Sequence, residues 1–178
     1  MRESRLEGSK TSRWPAILRW LEVFSLESLE RMVLRRRILQ WFLLRTHANA
    51  IQKLLPSFPA IQSALIIGGG MYPRSAILLK KLLPNARIQI LDSDLEHLQM
   101  ARAFLDGGNC MEHAHYGPNF PVNADLLVIP LSFSGSREAI YREPPARAVL
   151  VHDWIWRRRG RSAIVSFLLL KRLNLILR

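Results

Sequence analysis

The sequence has little of what holds small secreted or membrane proteins together. Of 178 residues one is cysteine, Cys110, which excludes an intramolecular disulfide and fits a reducing compartment. Long apolar runs are also missing. The most apolar tail segment, Ser162 to Leu170, meets Lys171-Arg172 far short of the roughly 20 residues that cross a bilayer. The first fifteen residues are polar and charged around Trp14 and Pro15, which predicts no secretory leader and a cytoplasmic protein. Acids are scarce, 14 against 26 Lys and Arg.

The charge that is present is unevenly placed. Residues 1–60 hold 11 basic groups against 5 acidic ones, residues 61–150 hold 8 against 8, and residues 151–178 hold 7 against 1. The centre is therefore neutral and the flanks are basic, most densely at Arg35-Arg36-Arg37 and at Arg157-Arg158-Arg159 with Arg161. Such clusters either form a solvated face or steer an anionic partner, nucleic acid or an anionic membrane surface.

The most informative stretch runs from Ala64 to Asp92. Ala64-Leu65-Ile66-Ile67 is a continuous apolar run, as expected of a parallel strand covered on both faces. Gly68-Gly69-Gly70 follows, permitting a tight turn and leaving no Cβ between the backbone amides and a ligand. A helix then opens at Pro73, whose φ is preset for a first helical position, and stops at Leu83-Pro84-Asn85. The next strand, Arg87 to Leu91, closes on Asp92, 24 residues beyond Gly68 and near the roughly 20-residue offset of a ribose-binding acid. That order of parts is how a nucleotide-type cofactor is held.

The remaining chain continues the alternation. Residues 13–55 read as two or three helices, with Ile17, Leu18, Leu21 and Phe24 on one face and Ser25 as a cap, before Pro56-Ser57-Phe58-Pro59 breaks them. These helices pack on the sheet or a partner, or lie on an anionic membrane. Leu95 to Leu105 reads as a helix, Asp106 to Asn109 as a turn, Cys110 to His113 as a weak third strand and Asp125 to Ile129 as a strong fourth. A short helix near Ser136 to Tyr141 precedes a fifth strand, Ala148 to Val151, ending at His152-Asp153-Trp154. Ser162 to Leu170 reads as a helix and Leu173 to Leu177 as a sixth, final strand. The expectation is a doubly wound, mostly parallel, three-layer Rossmann-like α/β sheet over residues 61–178, with a basic helical extension over residues 1–60.

In such a sheet ligands bind outside the carboxyl ends of the strands. That rim brings together Gly68, Gly69, Gly70, Met71, Tyr72, Asp92, Ser93 and Pro130 as the expected cofactor contacts. At the end of the fifth strand His152 and Asp153 are the candidate acid and base, because a histidine beside a carboxylate can move a proton near neutral pH. The competing reading makes the same pair a turn cap over Trp154 and Trp156. Cys110, His113 and His115 are soft-ligand types at short spacing, but without a distant fourth ligand they make a poor zinc pattern, and no metal is expected. A nicotinamide cofactor is also disfavoured, since Tyr72-Pro73-Arg74 supplies no third spaced glycine.

Residues 61–155 resemble the class I S-adenosylmethionine-dependent methyltransferases, on the strength of the glycines after strand one, Asp92 closing strand two and the Pro130 loop after strand four. Ile67-Gly68-Gly69-Gly70-Met71-Tyr72-Pro73, with Leu83-Pro84 and Asp92, is similar to the glycine loop of nicotianamine synthases, which use the same cofactor as an aminocarboxypropyl donor. The resemblance implies S-adenosylmethionine, its methionine part over the glycine loop and its ribose on Asp92, in a methyl- or aminocarboxypropyl-transferase of unspecified small-molecule acceptor. The alternative is a non-catalytic module binding nucleic acid or an anionic membrane through its flanks. Ile129-Pro130-Leu131-Ser132-Phe133 lacks the Asp or Asn that amino-group methyltransferases carry before Pro-Pro, which argues against an exocyclic amine as acceptor. With the tail read as one helix and one strand, the family's closing hairpin is expected to be absent.

Overall fold

A computed structural model describes residues 35–69, 71–105, 110–117 and 120–178. The helix at Ile17 to Phe24, the Ser25 cap, Gly70 and the turn at Asp106 to Asn109 lie outside the described residues.

Among the described residues, α-helices and strands follow one another as α1 (Arg37–Leu54), β1 (Ser63–Ile67), α2 (Arg74–Leu82), β2 (Arg87–Asp92), α3 (Leu95–Arg102), β3 (Cys110–His113), β4 (Leu126–Ile129), α4 (Arg137–Arg142), β5 (Ala148–Trp154), β6 (Arg161–Ser166) and β7 (Lys171–Leu177). The strands form one sheet in the order β3-β2-β1-β4-β5-β7-β6. β1 to β5 are mutually parallel, and β7 runs antiparallel to both β5 and β6. The strand order reverses between β1 and β4, which opens the crevice that α/β sheets use for ligands.

Period-two alternation sorts the core into two layers. Ala64, Ile66, Ile90, Val128 and Leu150 face α1 to α3, meeting Ala50, Ile51 and Leu54 of α1, Leu79 of α2 and Leu98 of α3. Leu65, Ile67, Leu127, Ile129, Val149 and Val151 face Ile140 of α4. The helix starts are built locally. The Asp94 carboxylate accepts from the backbone N–H of Glu96 (2.8 Å) and His97 (3.3 Å), and the Ser136 hydroxyl accepts from Ala139. Leu83 ends α2 immediately before Pro84.

The tail departs from its sequence reading. Arg161 to Ser166 is a strand, not part of a helix, and it returns through Phe167 to Leu170 into β7, so the closing hairpin is present. Leu168, Leu169 and Leu170 are good helix formers that here turn a corner, with Leu170 at φ +52°. Pairing over the whole length of β7 outweighs their local preference, since every residue from Lys171 to Leu177 is opposite one of β5. The described part of the segment before the sheet, α1, packs on it. Ala50, Ile51 and Leu54 of α1 belong to the same core as β1, β4 and β5. Among the described residues no helix is long and apolar enough to cross a membrane. The basic run after β5 is partly neutralised, as Arg157 and Arg159 both reach Glu138 on α4.

One carboxylate joins the feet of the two central strands. Asp125 Oδ2 accepts from the backbone N–H of Gln62 (2.9 Å) and Ser63 (3.0 Å) and from the Ser63 hydroxyl, and these bonds lower its pKa. Its stabilisation is therefore complete above the ordinary carboxylate range near pH 4 and fades as pH falls through the lowered folded value. Replacing Asp125 with Ala is expected to lower stability by about 1–2 kcal/mol at pH 7. In urea melts the difference between the two proteins should shrink below about pH 4.

Candidate active site

The glycine turn is shaped by what lies behind it. Gly68 has φ +68° and donates its N–H to the Leu91 carbonyl (2.7 Å), and a Cβ there would stand 3.3 Å from Pro130 Cγ. At Gly69 a Cβ would meet Ile90 Cγ2 at 3.0 Å. Its N–H instead points at Asp92 Oδ2, 2.8 Å away. Asp92, buried at the end of β2, also accepts from the Asp94 N–H through Oδ1 (3.0 Å), with His97 Nδ1 at 3.8 Å. One carboxylate thus holds the β1–α2 turn against the β2–α3 turn.

A cavity of about 290 Å³ opens from this junction across the ends of β1, β4 and β5. Gly68, Gly69, Tyr72 and Pro130 line it. Tyr72 is buried edge-to-face against Phe104, with ring centroids 5.0 Å apart, and burial pushes its pKa up against the opposing effect of Arg74. Met71 is buried and is not part of the wall, while Ser93 is exposed and offers its carbonyl to His113 Nε2 at 3.1 Å. Cys110 is exposed on β3, at the far edge of the sheet. The loop after β4 is braced from beneath by Arg137, whose guanidinium donates to the carbonyls of Pro130 (2.9 Å), Leu131 and Phe133 (3.1 Å).

His152 and Asp153 are not brought together. Adjacent residues of a strand point to opposite faces, and β5 continues through both because Leu173 and Arg172 of β7 pair with them. His152 lines the cavity, with Nε2 3.3 Å from the Ser75 hydroxyl of α2. Asp153 lies on the α4 side, where Oδ2 accepts from the Tyr141 hydroxyl (2.7 Å) and Oδ1 from its neighbour's N–H, that of Trp154 (2.9 Å). Asn174 of β7 completes the set, its amide nitrogen donating to the Tyr141 oxygen (2.9 Å) and to the Arg157 carbonyl (2.8 Å). Desolvation, followed by the carboxylate, drives the Tyr141 pKa upward. Asp153 ties together β5, β7, α4 and the β5–β6 loop, so of the two candidate acid and base residues His152 is the one that lines the cavity.

The partner that His152 does have comes from α1. His47 packs edge-to-face on it, ring centroids 4.8 Å apart. His47 is buried, lines the cavity, and its Nε2 has no hydrogen-bond partner among the described residues. Burial, and then the charges of Arg74 and Lys171, push its pKa down to about 3, and the same causes with the addition of His47 itself hold His152 well below the ordinary histidine value. Both rings are neutral at pH 7. His47 was overlooked in the sequence although a signal existed, since it falls on the helical stripe Leu43, His47, Ala50, Ile51, Leu54 whose other members are apolar.

No protein-family model matches the sequence, and no curated protein matches it. Solved structures do match. A variant of the nicotianamine synthase MtNAS in complex with S-adenosylmethionine gives a TM-score of 0.57 at 16% identity, covering 77% of this chain and 62% of that one. MtNAS in complex with MTA and tNA gives 0.52 at 17% identity, over 76% and 58% of the two chains. The plantazolicin methyltransferase BpumL in complex with SAH gives 0.46 at 19% identity, over 64% and 47%. This chain therefore spans about half to three fifths of the length of these proteins. With its strand order, the chain has the fold of the class I S-adenosylmethionine-dependent methyltransferases.

Two substitutions separate the roles of these buried groups. His47→Leu removes an unpartnered buried nitrogen and should raise stability by about 1 kcal/mol, read as a higher midpoint in thermal or urea melts. Tyr141→Phe removes a donor from the buried Asp153 and should cost about 1–3 kcal/mol in the same melts.

Proposed function

We propose that a chain with this fold and this glycine turn is an S-adenosylmethionine-dependent transferase, holding its cofactor at the ends of β1 and β2 and its acceptor beside His152. The observation that carries the reading is the glycine turn at the end of β1, one of the two strands between which the strand order reverses, fastened by the Gly69 amide to Asp92 at the end of β2. There the turn has to be glycine, because a Cβ at Gly68 would press on Pro130 and one at Gly69 on Ile90, and Asp92 closes β2 beside it. The MtNAS complex with S-adenosylmethionine, similar over most of this chain, supports the choice of cofactor.

When bound, the cofactor supplies an electrophilic carbon on a sulfonium, so the protein's work is to place a nucleophile and accept its proton. Gly68, Gly69 and Tyr72 would bound the methionine end, and Pro130, fixed by Arg137, would close the side toward β4. Asp92 holds the turn from behind and is not among the residues lining the cavity, so it would reach the ribose only through carboxylate lone pairs that the Gly69 and Asp94 amides leave unused. His152 faces the cavity as a neutral imidazole that can accept a hydrogen bond at a ring nitrogen; the burial and positive charges that lower its pKa make it a weak base until a negative group in the site offsets them. Methyl or aminocarboxypropyl transfer both suit this arrangement, and the acceptor class is taken up below.

Titration calorimetry with S-adenosylhomocysteine tests the reading. Saturable binding is expected, weakened about tenfold in Asp92→Asn, a variant that keeps one oxygen for the loop amides but loses the charge. The absence of heat and of any thermal stabilisation at millimolar ligand overturns the cofactor assignment.

A further inference from the structure

The cavity extends beyond what the glycine turn and Asp92 define. Its β5 end is walled by α1, the start of α2 and the β6–β7 hairpin, with Leu43, Val165 and Leu169 as apolar surface. Three polar side chains converge there: His47 with its buried, unpartnered Nε2, His152, and the Ser75 hydroxyl. Arg74 from α2 and Lys171 from β7 line the same cavity, and Arg137 from α4 adds positive potential from behind. Among the described residues the acid lining the cavity is Asp94, which caps α3 beside His97 at the β2 side of the glycine turn.

We propose that the β5 end of the cavity is a subsite for an oxyanion of the acceptor, a carboxylate or a phosphate, with the His47 imidazole as its hydrogen-bond donor. The assignment to an acceptor rests on the transferase reading, whereas the affinity for an oxyanion does not. An apolar ligand would leave His47 Nε2 unpartnered, and a cation would meet Arg74, Lys171 and Arg137. Metal binding is poorly served, because the two imidazoles pack edge-to-face and no group of three or more His, Cys, Asp or Glu side chains able to hold an ion is found among the described residues. An anion satisfies the site on both counts. It accepts from the buried nitrogen and offsets the surrounding positive charge.

A proton linkage follows. The charges that keep His47 and His152 neutral are those an incoming anion neutralises, so anion binding raises the pKa of both rings and takes up a proton as pH falls toward the ordinary histidine range near 6.5. Binding should therefore tighten at acid pH, by up to tenfold per pH unit below the bound-state pKa. Asp94 and His97, across the cavity, stay with the α3 cap.

The test is imidazole nitrogen NMR of the full chain, titrated with acetate and with sulfate at pH 6 and pH 8, where both probes keep a fixed charge. Runs with and without saturating S-adenosylhomocysteine separate this proposal from the cofactor reading, since the rings report anion binding even if that ligand fails to bind. Saturable shifts at His47 and His152 are expected, stronger at pH 6, whether or not S-adenosylhomocysteine is present. Tighter acetate binding assigns a carboxylate, and tighter sulfate binding a phosphate. His47→Leu should lose at least tenfold in affinity while His47→Gln, which keeps an N–H donor, loses less than about threefold; melting curves confirm that each variant is folded. The wild-type titration decides alone if a variant is not. Rings that respond to neither anion, anion affinity unchanged in a folded His47→Leu, or displacement of the anion by S-adenosylhomocysteine would each overturn the subsite.

Discussion

Everything at the ligand-facing rim depends on the Asp92 carboxylate. It is buried where β2 ends, and it draws the Gly69 amide toward one oxygen and the Asp94 amide toward the other. A buried carboxylate without donors would be costly, so the charge dictates that two turns, from different βα units, close around it. The position of the glycine turn then settles the start of α2, and with it Tyr72, Arg74 and Ser75 on the cavity wall. The Asp94 that donates its amide to Asp92 also caps α3 with its side chain. The same few atoms organise the helix starts and the floor of the site.

A second constraint is the pleat of β5. Because side chains alternate, His152 and Asp153 serve different halves of the molecule. One half is a closed hydrogen-bonded knot in which Asp153, Tyr141 and Asn174 satisfy one another and fasten the β5–β6 loop. The other half is left chemically open: two neutral imidazoles in contact, a hydroxyl, and a buried nitrogen without a partner. Buried polar groups are normally paired, and those that are not tend to lie at functional sites. Asp153 thus fastens one face of β5, while His152 on the other face lines the cavity.

Much of the frame was legible in the residues. Ala64 to Ile67 and Leu126 to Ile129 read as strands because apolar side chains run without interruption there, Arg87 to Asp92 because Ile88, Ile90 and Leu91 carry a short β run, and the proline at Pro84 and the glycines at Gly68 and Gly69 mark their own turns. The β6–β7 hairpin was misread because Leu168 to Leu170 carry helix preference, while the force that makes β7 a strand is its pairing with β5, some twenty residues earlier in sequence. His152 and Asp153 fall on different faces because neighbours in sequence are opposed in a strand, a separation that adjacency in the sequence does not show.

By itself the sequence determined the strand, glycine, helix, strand and acid order from Ala64 to Asp92, since those choices are made by short-range sterics and by the apolar run of a buried strand. Only the tertiary structure decided that Asp92 serves the Gly69 amide, that Asp153 belongs to a knot with Tyr141, and that His47 meets His152 across the cavity. The physical reason is separation along the chain. His47 lies on a helix before the first strand and His152 near the end of the fifth, and contact between them exists only once α1 has packed on the sheet.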